Sequence, residues 1–362
     1  MGDTGTDDMA KARQDGAGSE AAQRRLQMAD IARLAGVSTA TVSRALNNSP
    51  LVNAETRGRI LELAASLKYS INIGAQNLRL KQNRTIGVLI PYDRKTHLRL
   101  TDPFLLAMLG SVADALTEQG FDMLFSRLPT DQLGEAAATP FDTGRVGGII
   151  LVGQWGRHQE LNELAARKVP VVVWGAHLPQ QLYCCVGSDN VGGGMLATEH
   201  LIAQGRRRIA FFGDIDLPEP AQRYRGYCAA LAKHGIAVDP ALQVSSPFLP
   251  SGGSEAVEAM QARGVDYDAV FACSDLLAMT AIDSLRAHGR RVPGDVAVVG
   301  YDDIEQSAYF HPRLTTVRQP IGAAGSALVA SLLALIDGKP APSVELPTEL
   351  VVRASAGEDQ SS

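Results

Sequence analysis

Between residues 28 and 67 the apolar positions recur at helical spacing. The stretch MADIARLAGVSTATVSRALN predicts two short amphipathic helices, Met28 to Ala35 and Thr39 to Leu46, with Ile31, Leu34, Val37, Val42 and Leu46 turned inward. Gly36-Val37-Ser38 is a tight turn between them. Gly36 can take the positive φ such a turn needs, the Ser38 hydroxyl is placed to cap the second helix, and the small Ala32 lets the helices cross closely. Asn53 caps a third predicted helix running to Leu67, with Ile60, Leu61, Ala64 and Leu67 as its apolar stripe. Three helices closing one small core give a helix-turn-helix plan, and its second helix keeps Thr39, Ala40, Thr41, Ser43 and Arg44 outward, a set able to bond bases and phosphates. A ligand-free helical hairpin fits the same pattern.

From Thr85 the pattern changes to short apolar runs alternating with helical ones. Strands are predicted at Thr85 to Ile90, Phe121 to Ser126, Val146 to Val152, Val169 to Val173, Ile209 to Phe212, Ala269 to Ala272 and Val296 to Gly300. Helices are predicted at Phe104 to Gln119, Glu160 to Arg167, Ala197 to Ala203, Ala221 to His234 and Leu276 to Ala287. Strands apolar throughout, each followed by a helix, imply an α/β fold with parallel sheets covered on both faces. The intervening residues 70–84 are short, polar and broken by Gly74, so alone in water they should be mostly unfolded. Residues 1–26 and 358–362 carry too little apolar content to fold and read as disordered tails. The domain plan is therefore 27–69, 70–84 and 85–357 between the two tails.

Charge sharpens this division. The formal net charge of −5 conceals a net of +5 over residues 27–84 and −9 over residues 85–362. A basic small domain on an acidic large one suits phosphate binding by the first alone. Cys184, Cys185, Cys228 and Cys273 form no Cys-x-x-Cys pair, which reads as free thiols in a reducing compartment. The chain has no run of about 18 apolar residues, and its first 26 residues lack the apolar core of a signal peptide, so a cytoplasmic protein is expected.

The order of helix-turn-helix, third helix, Asn-x-x-Ala-x-x-Leu, basic linker and strand, together with VGSDNVGGG, GYDDI and HPRLTTVRQP, resembles the lactose repressor and galactose repressor family of bacterial transcription regulators over about residues 27–357. The resemblance implies a hinge helix over part of 70–84, folded when two copies pair in the minor groove with Ala75 and Leu78 facing the DNA and the leucine wedging a base step apart. Ile71 stands where a proline is common, and Gly74 lies within the hinge. The resemblance further implies an effector domain of the two-lobed periplasmic-binding-protein kind, homodimerisation, and a small sugar-like effector between the lobes.

Open α/β sheets bind ligands beyond the carboxyl ends of their strands. That rule selects Phe104 next to Asp102, Trp155 next to Gln154, and Asp189, Arg223, Asp275 and Asp302 as effector candidates. Carboxylates, one guanidinium and aromatic plates suit a polyhydroxylated ligand. By resemblance, Arg223, Asp275 and the aromatic Phe104 match effector-contacting positions, with Ser274-Asp275 standing where Asn-Asp is usual. Asp189 reads equally as a helix cap. On the DNA side Thr39, Ala40 and Arg44 are expected at base edges, and Ser38, Thr41, Ser43, Asn47, Asn53 and Thr56 at phosphates. Gly192-Gly193-Gly194 lacks the lysine and hydroxyl of a phosphate loop and reads as a turn and tight helix start. No nucleophile elbow is present and the histidines show no metal spacing, so neither catalysis, metal nor cofactor is expected. A sugar-binding protein without a regulatory role and a sugar-modifying enzyme are the competing readings.

Overall fold

The computed structural model describes residues 27–46, 49–67, 69, 83–93 and 100–357. Contacts divide the chain into two compact units, residues 1–80 and 81–362. The hinge candidates Ala75 and Leu78, the phosphate candidate Asn47 and both expected tails lie outside the described residues.

In the first unit, α1 (Met28–Ala35), α2 (Thr39–Leu46) and α3 (Ala54–Ser66) close around Ile31, Ala32, Ala35, Val42, Ala45, Val52 and Ile60. Gly36 ends α1 at φ 65°, with its amide bonded back to the helix. Two expected core leucines are exposed, Leu34 and Leu61. At 100° per residue, Ile31, Ala32 and Ala35 span one arc of α1, and Leu34 sits about 100° from its middle; Leu61 is likewise about 100° round α3 from Ile60. The small alanines, rather than the leucines, let these short helices approach.

The second unit has two lobes. Its elements in chain order are β1 (Thr85–Tyr92), α4 (Pro103–Glu118), β2 (Asp122–Pro129), α5 (Leu133–Asp142), β3 (Gly148–Val152), α6 (His158–Ala166), β4 (Val171–Trp174), β5 (Cys184–Ser188) and α7 (Asn190–Ala203). Then follow β6 (Ile209–Phe212), α8 (Pro218–Lys233), β7 (Gln243–Val244), α9 (Gly252–Arg263), β8 (Ala269–Ala272), α10 (Asp275–Ala287) and β9 (Ala297–Asp302). The last are β10 (Thr315–Arg318), α11 (Ile321–Ile336), β11 (Val344–Leu346) and β12 (Glu349–Val351). One six-stranded sheet has the order β11-β5-β4-β3-β1-β2 and is parallel throughout; the other, β12-β10-β9-β8-β6-β7, is parallel except at β10–β12.

Alternation within the apolar strands explains the layering. In β3, Ile150 and Val152 join the core under α4 and α11, while Ile149 and Leu151 join the core under α5 and α6. The chain passes between lobes three times, after Ser188, after Arg318 and after Leu346. At those crossings the Asp189 amide donates to the Leu346 carbonyl at 2.8 Å, and the Ser188 hydroxyl donates to Gln319 Oε1 at 2.6 Å.

The parallel α/β reading holds, with one helix boundary to correct. Helix α7 begins at Asn190, seven residues before the expected Ala197, and contains all three glycines of Gly192–Gly194. They are there for close approach: a Cβ on Gly194 would strike the Arg223 carbonyl of α8, and one on Gly226 of α8 would strike the Val191 carbonyl of α7.

Candidate functional site

The start of α2 is built by one hydroxyl. Ser38 Oγ accepts the Thr41 amide at 3.1 Å and lies 2.9 Å from Thr41 Oγ1, which fixes the entry of the helix. Thr39, Ala40 and Arg44 are exposed, and Ala40 and Arg44 stand one turn apart on the same face. Asn53 Oδ1 caps α3 by accepting the Thr56 amide at 2.7 Å. Arg59 donates to the Ala35 carbonyl at 3.0 Å and closes the end of α1, so this cation serves the fold.

Between the two lobes of the second unit lies a cavity. Four of the six effector candidates line it together: Phe104, Trp155, Arg223 and Asp302. Phe104 enters from the first turn of α4, which Asp102 caps through the Leu105 amide at 3.2 Å, and its ring lies 6.3 Å from that of Trp174. Trp155 follows β3 with φ 51°, a costly conformation for a bulky side chain, between Gly153 at φ 95° and Gly156 at φ 68°. The preceding Gln154 is fully buried and pins this turn: its amide group pairs with both the N–H and C=O of Ala176 and donates to the Tyr183 hydroxyl at 2.8 Å.

Arg223 is held before any ligand arrives. Its Nε donates to Asn190 Oδ1 at 2.9 Å, its Nη1 donates to the Cys273 carbonyl, and its guanidinium lies 3.7 Å over the Tyr301 ring. Asp302 ends β9 with φ 123°, and Asp303 follows it with φ 58°. Asp303 is anchored by ion pairs of 2.7 Å to both Arg318 and Arg353, and Asp302 Oδ1 accepts Gln319 Nε2 at 2.7 Å. Burial raises the carboxyls of Asp302, Glu219 and Asp102, all cavity residues, from their ordinary values, Asp302 well above. The cavity thus joins aromatic faces to fixed donors and acceptors, the equipment for a polyhydroxylated ligand.

The other two candidates do other work. Asp189 Oδ1 caps α7 through the Gly192 amide at 2.7 Å and is not among the cavity residues. Asp275 is fully buried, and its carboxylate accepts the Ile304 amide at 2.9 Å and the hydroxyls of Ser307 and Thr316. It ties α10 to the strand and loop beneath it, while the preceding Ser274 faces the cavity and caps α10 through the Leu277 amide at 3.3 Å. Sequence reasoning missed Ser274, Glu219, Trp174, Phe248 and Gln319 as lining residues. The sequence marks Ser274-Asp275 as a pair, and the structure turns the serine rather than the aspartate to the cavity. Gln319 sits in HPRLTTVRQP, used there as a family marker alone.

Among the described residues no cluster of three or more His, Cys, Asp or Glu is placed to hold a metal, and no helix is long and apolar enough to cross a membrane. The four cysteines are unbridged, as expected.

Residues 27–72 match the family described as bacterial regulatory proteins, lacI family, and residues 198–356 match a periplasmic binding protein-like domain. The HTH-type transcriptional regulator CelR of Thermobifida fusca is 34% identical over 92% of this chain and 99% of its own length. The HTH-type transcriptional regulator GalR of Escherichia coli is 32% identical over 87% and 90%. Among solved structures, the lac repressor dimer bound to operator and an anti-inducer aligns with a TM-score of 0.82 at 26% identity, over 92% of this chain and 99% of that one. A CelR–cellobiose complex aligns at 0.68 and 33% identity, over 91% and 100%.

Proposed function

This chain belongs to the lacI family of bacterial regulatory proteins, and we propose on that footing that it is an operator-binding repressor, homodimeric and cytoplasmic, whose DNA affinity is set by a small sugar-like effector. The observation that carries the effector is the interlobe cavity, where Phe104, Trp155, Arg223 and Asp302 meet. Ser274, Glu219 and Gln319 join them, whereas Asp189 and Asp275 hold the frame.

In this reading Thr39, Ala40 and Arg44 address base edges in the major groove. Ser38, Thr41, Ser43, Asn47, Asn53 and Thr56 hold phosphates, and Ala75 and Leu78 enter the minor groove of a pseudo-palindromic operator. A ligand bridging the lobes stabilises one lobe arrangement over another, and operator affinity changes by the same coupling energy through which DNA changes effector affinity. The protein performs no catalysis, and no cofactor takes part. The domain plan is a DNA-binding unit over 27–69, a hinge over 70–84 and the two-lobed unit over 85–357.

The test is fluorescence anisotropy on DNA from upstream of the gene, with and without a panel of sugars. Salt-dependent binding that exceeds binding to scrambled DNA, and a shift in affinity with at least one sugar, are expected. Equal affinity for both DNAs would remove the repressor reading. Conversion of the added sugar into product would return the enzyme reading.

A further inference from the structure

A relay of hydrogen bonds runs from the cavity wall to a histidine outside it. The fully buried Gln154 has its amide orientation fixed, because Oε1 accepts the Ala176 amide at 2.9 Å. Its Nε2 is left to donate to the Ala176 carbonyl and to the Tyr183 hydroxyl, each at 2.8 Å. Beyond that hydroxyl stands His158, the first residue of α6, with Nδ1 3.0 Å from the Tyr183 oxygen and Nε2 3.1 Å from the Pro179 carbonyl. Asn162, one turn along α6, steadies the same loop by donating to the Gln180 carbonyl at 3.1 Å and accepting the Leu182 amide at 2.8 Å. His158 is not among the residues lining the cavity, whereas Gln154 and Trp155 are.

The donors and acceptors of this relay fix its protonation. Pro179 offers only an acceptor, so His158 Nε2 carries a hydrogen; Asn162 Nδ2, 3.4 Å from Nε2, has its nearer partner in Gln180. Tyr183 is buried, and burial pushes its hydroxyl up, so it keeps its proton. That hydroxyl already accepts from Gln154, and among the described residues its own hydrogen has His158 Nδ1 as acceptor. The relay is therefore complete only while the imidazole is neutral. A proton on Nδ1 turns the acceptor into a donor and strands the buried Tyr183 hydrogen. Imidazole ordinarily exchanges that proton between about pH 5 and 8. The other titratable groups around the relay are Cys185 and Glu219, which act on Tyr183, and Arg157 and Glu160 on the α6 side, paired with each other at 3.1 Å. The facing loop 178–182 carries no charge, and α5, which meets α6 at Gly134 and Glu160, brings Glu135, exposed, and Asp142, paired with Arg167 at 2.7 Å. What hangs on the relay is Trp155, next to Gln154, whose φ of 51° persists only where its surroundings over-determine it.

We propose that His158 is a positioning residue of the effector site: neutral, it completes the relay through Tyr183 and Gln154 that holds the Trp155 turn in the cavity wall, and protonated it lets that turn go. The site is thereby regulated by pH, a role that rests on the effector reading above. The state of Trp155 is readable with no ligand present, so the two readings fail separately. Asparagine at position 158 can offer Oδ1 where Nδ1 accepts, yet takes up no proton; alanine offers no acceptor.

The chain has two tryptophans, Trp155 and Trp174, and both line the cavity. The test is the fluorescence of full-length protein carrying Trp174→Phe, in which Trp155 is the sole tryptophan, titrated from about pH 8.5 to about pH 5 with acrylamide as quencher. Quenching should rise about twofold or more through one transition in the imidazole range. His158→Asn in that background should keep the weak quenching seen at high pH and cut the rise about threefold or more. His158→Ala and Tyr183→Phe should be quenched at high pH as strongly as the parent is at low pH. Tyr183→Phe removes one oxygen and keeps the buried ring, so it guards against a variant that simply fails to fold. A rise that survives in His158→Asn with the same midpoint and amplitude overturns the proposal and assigns the proton to the cavity carboxyls Asp102, Glu219 and Asp302. A flat parent profile overturns it as well, and so does a Tyr183→Phe protein that keeps the parent's profile.

Discussion

Truncating Asp275 to alanine would strand three donors at once, the Ile304 amide and the hydroxyls of Ser307 and Thr316. At about 1–3 kcal/mol for each buried group left unpaired, Asp275→Ala should lower the urea midpoint of the two-lobed unit steeply. Ser274→Ala should lower it far less, by the roughly 1 kcal/mol of one lost helix cap, and weaken effector binding; the reverse outcome would return Asp275 to the cavity. Titration gives an independent check. Burial pushes the Asp275 carboxyl up to about 7 and raises Asp302, Glu219 and Asp102 in the same direction. A carboxyl with a raised folded-state pKa binds more protons folded than unfolded, so its stabilisation is full below the unfolded value and is lost as pH rises through the folded one. Denaturation midpoints should therefore fall between about pH 5 and about pH 7.5, and fall less in Asp275→Asn. A flat wild-type profile would contradict this. On the DNA side, Arg44 is exposed on α2, and Arg44→Ala should cost about 1–3 kcal/mol on operator and relax preference at one position per half-site. Equal loss on scrambled DNA would make Arg44 a phosphate contact. At this scale the sequence named the residue types at the strand ends well. It could not say which of two adjacent polar residues turns into the cavity, because that depends on where the helix cap falls.

Elements were legible where their patterns were long. The fully apolar strands β3, β4, β6 and β8 read as parallel strands and are so. Strands β7, β11 and β12, of two or three residues each, carry no periodicity, and α11, IGAAGSALVASLLALI, has too few polar residues to mark a face. The glycines before Ala197 misled in an instructive way. Glycine disfavours a helix interior by about 1 kcal/mol, yet here it lets α7 and α8 touch, and that contact outweighs the cost. Gly226→Ala should accordingly destabilise by about 1–3 kcal/mol or more and, by displacing α8, carry Arg223 out of register. A stable variant with normal effector affinity would show that the helices can separate freely. The hinge adds its own prediction. Gly74→Ala should tighten operator binding by prepaying helix formation, and Leu78→Ala should weaken it and reduce bending. Affinities for both variants within about twofold of wild type would reduce 70–84 to a plain linker.

For the whole molecule, Gln319 joins the cavity to the crossings between lobes. It lines the cavity, donates to Asp302 and accepts from Ser188 at the first crossing. Gln319→Ala should therefore reduce the change in operator affinity caused by effector more than it reduces effector binding itself, read by titrating each separately. Equal losses in both would make Gln319 a plain ligand contact. The three crossings carry another consequence, for the order in which the protein can be made. The first lobe takes α11 and β11 from the far end of the chain, after the whole second sheet up to β10 has been laid down. On a ribosome, the strands β1 to β5 emerge early but wait with one face short of α11 until about residue 336 has been synthesised. Domains ordinarily fold in sequence as they emerge, and this architecture denies the first lobe that option. A nascent chain halted before residue 321 would expose the apolar side of its first sheet to chaperones, and a regulator of this design becomes able to sense its ligand only when nearly all of it exists.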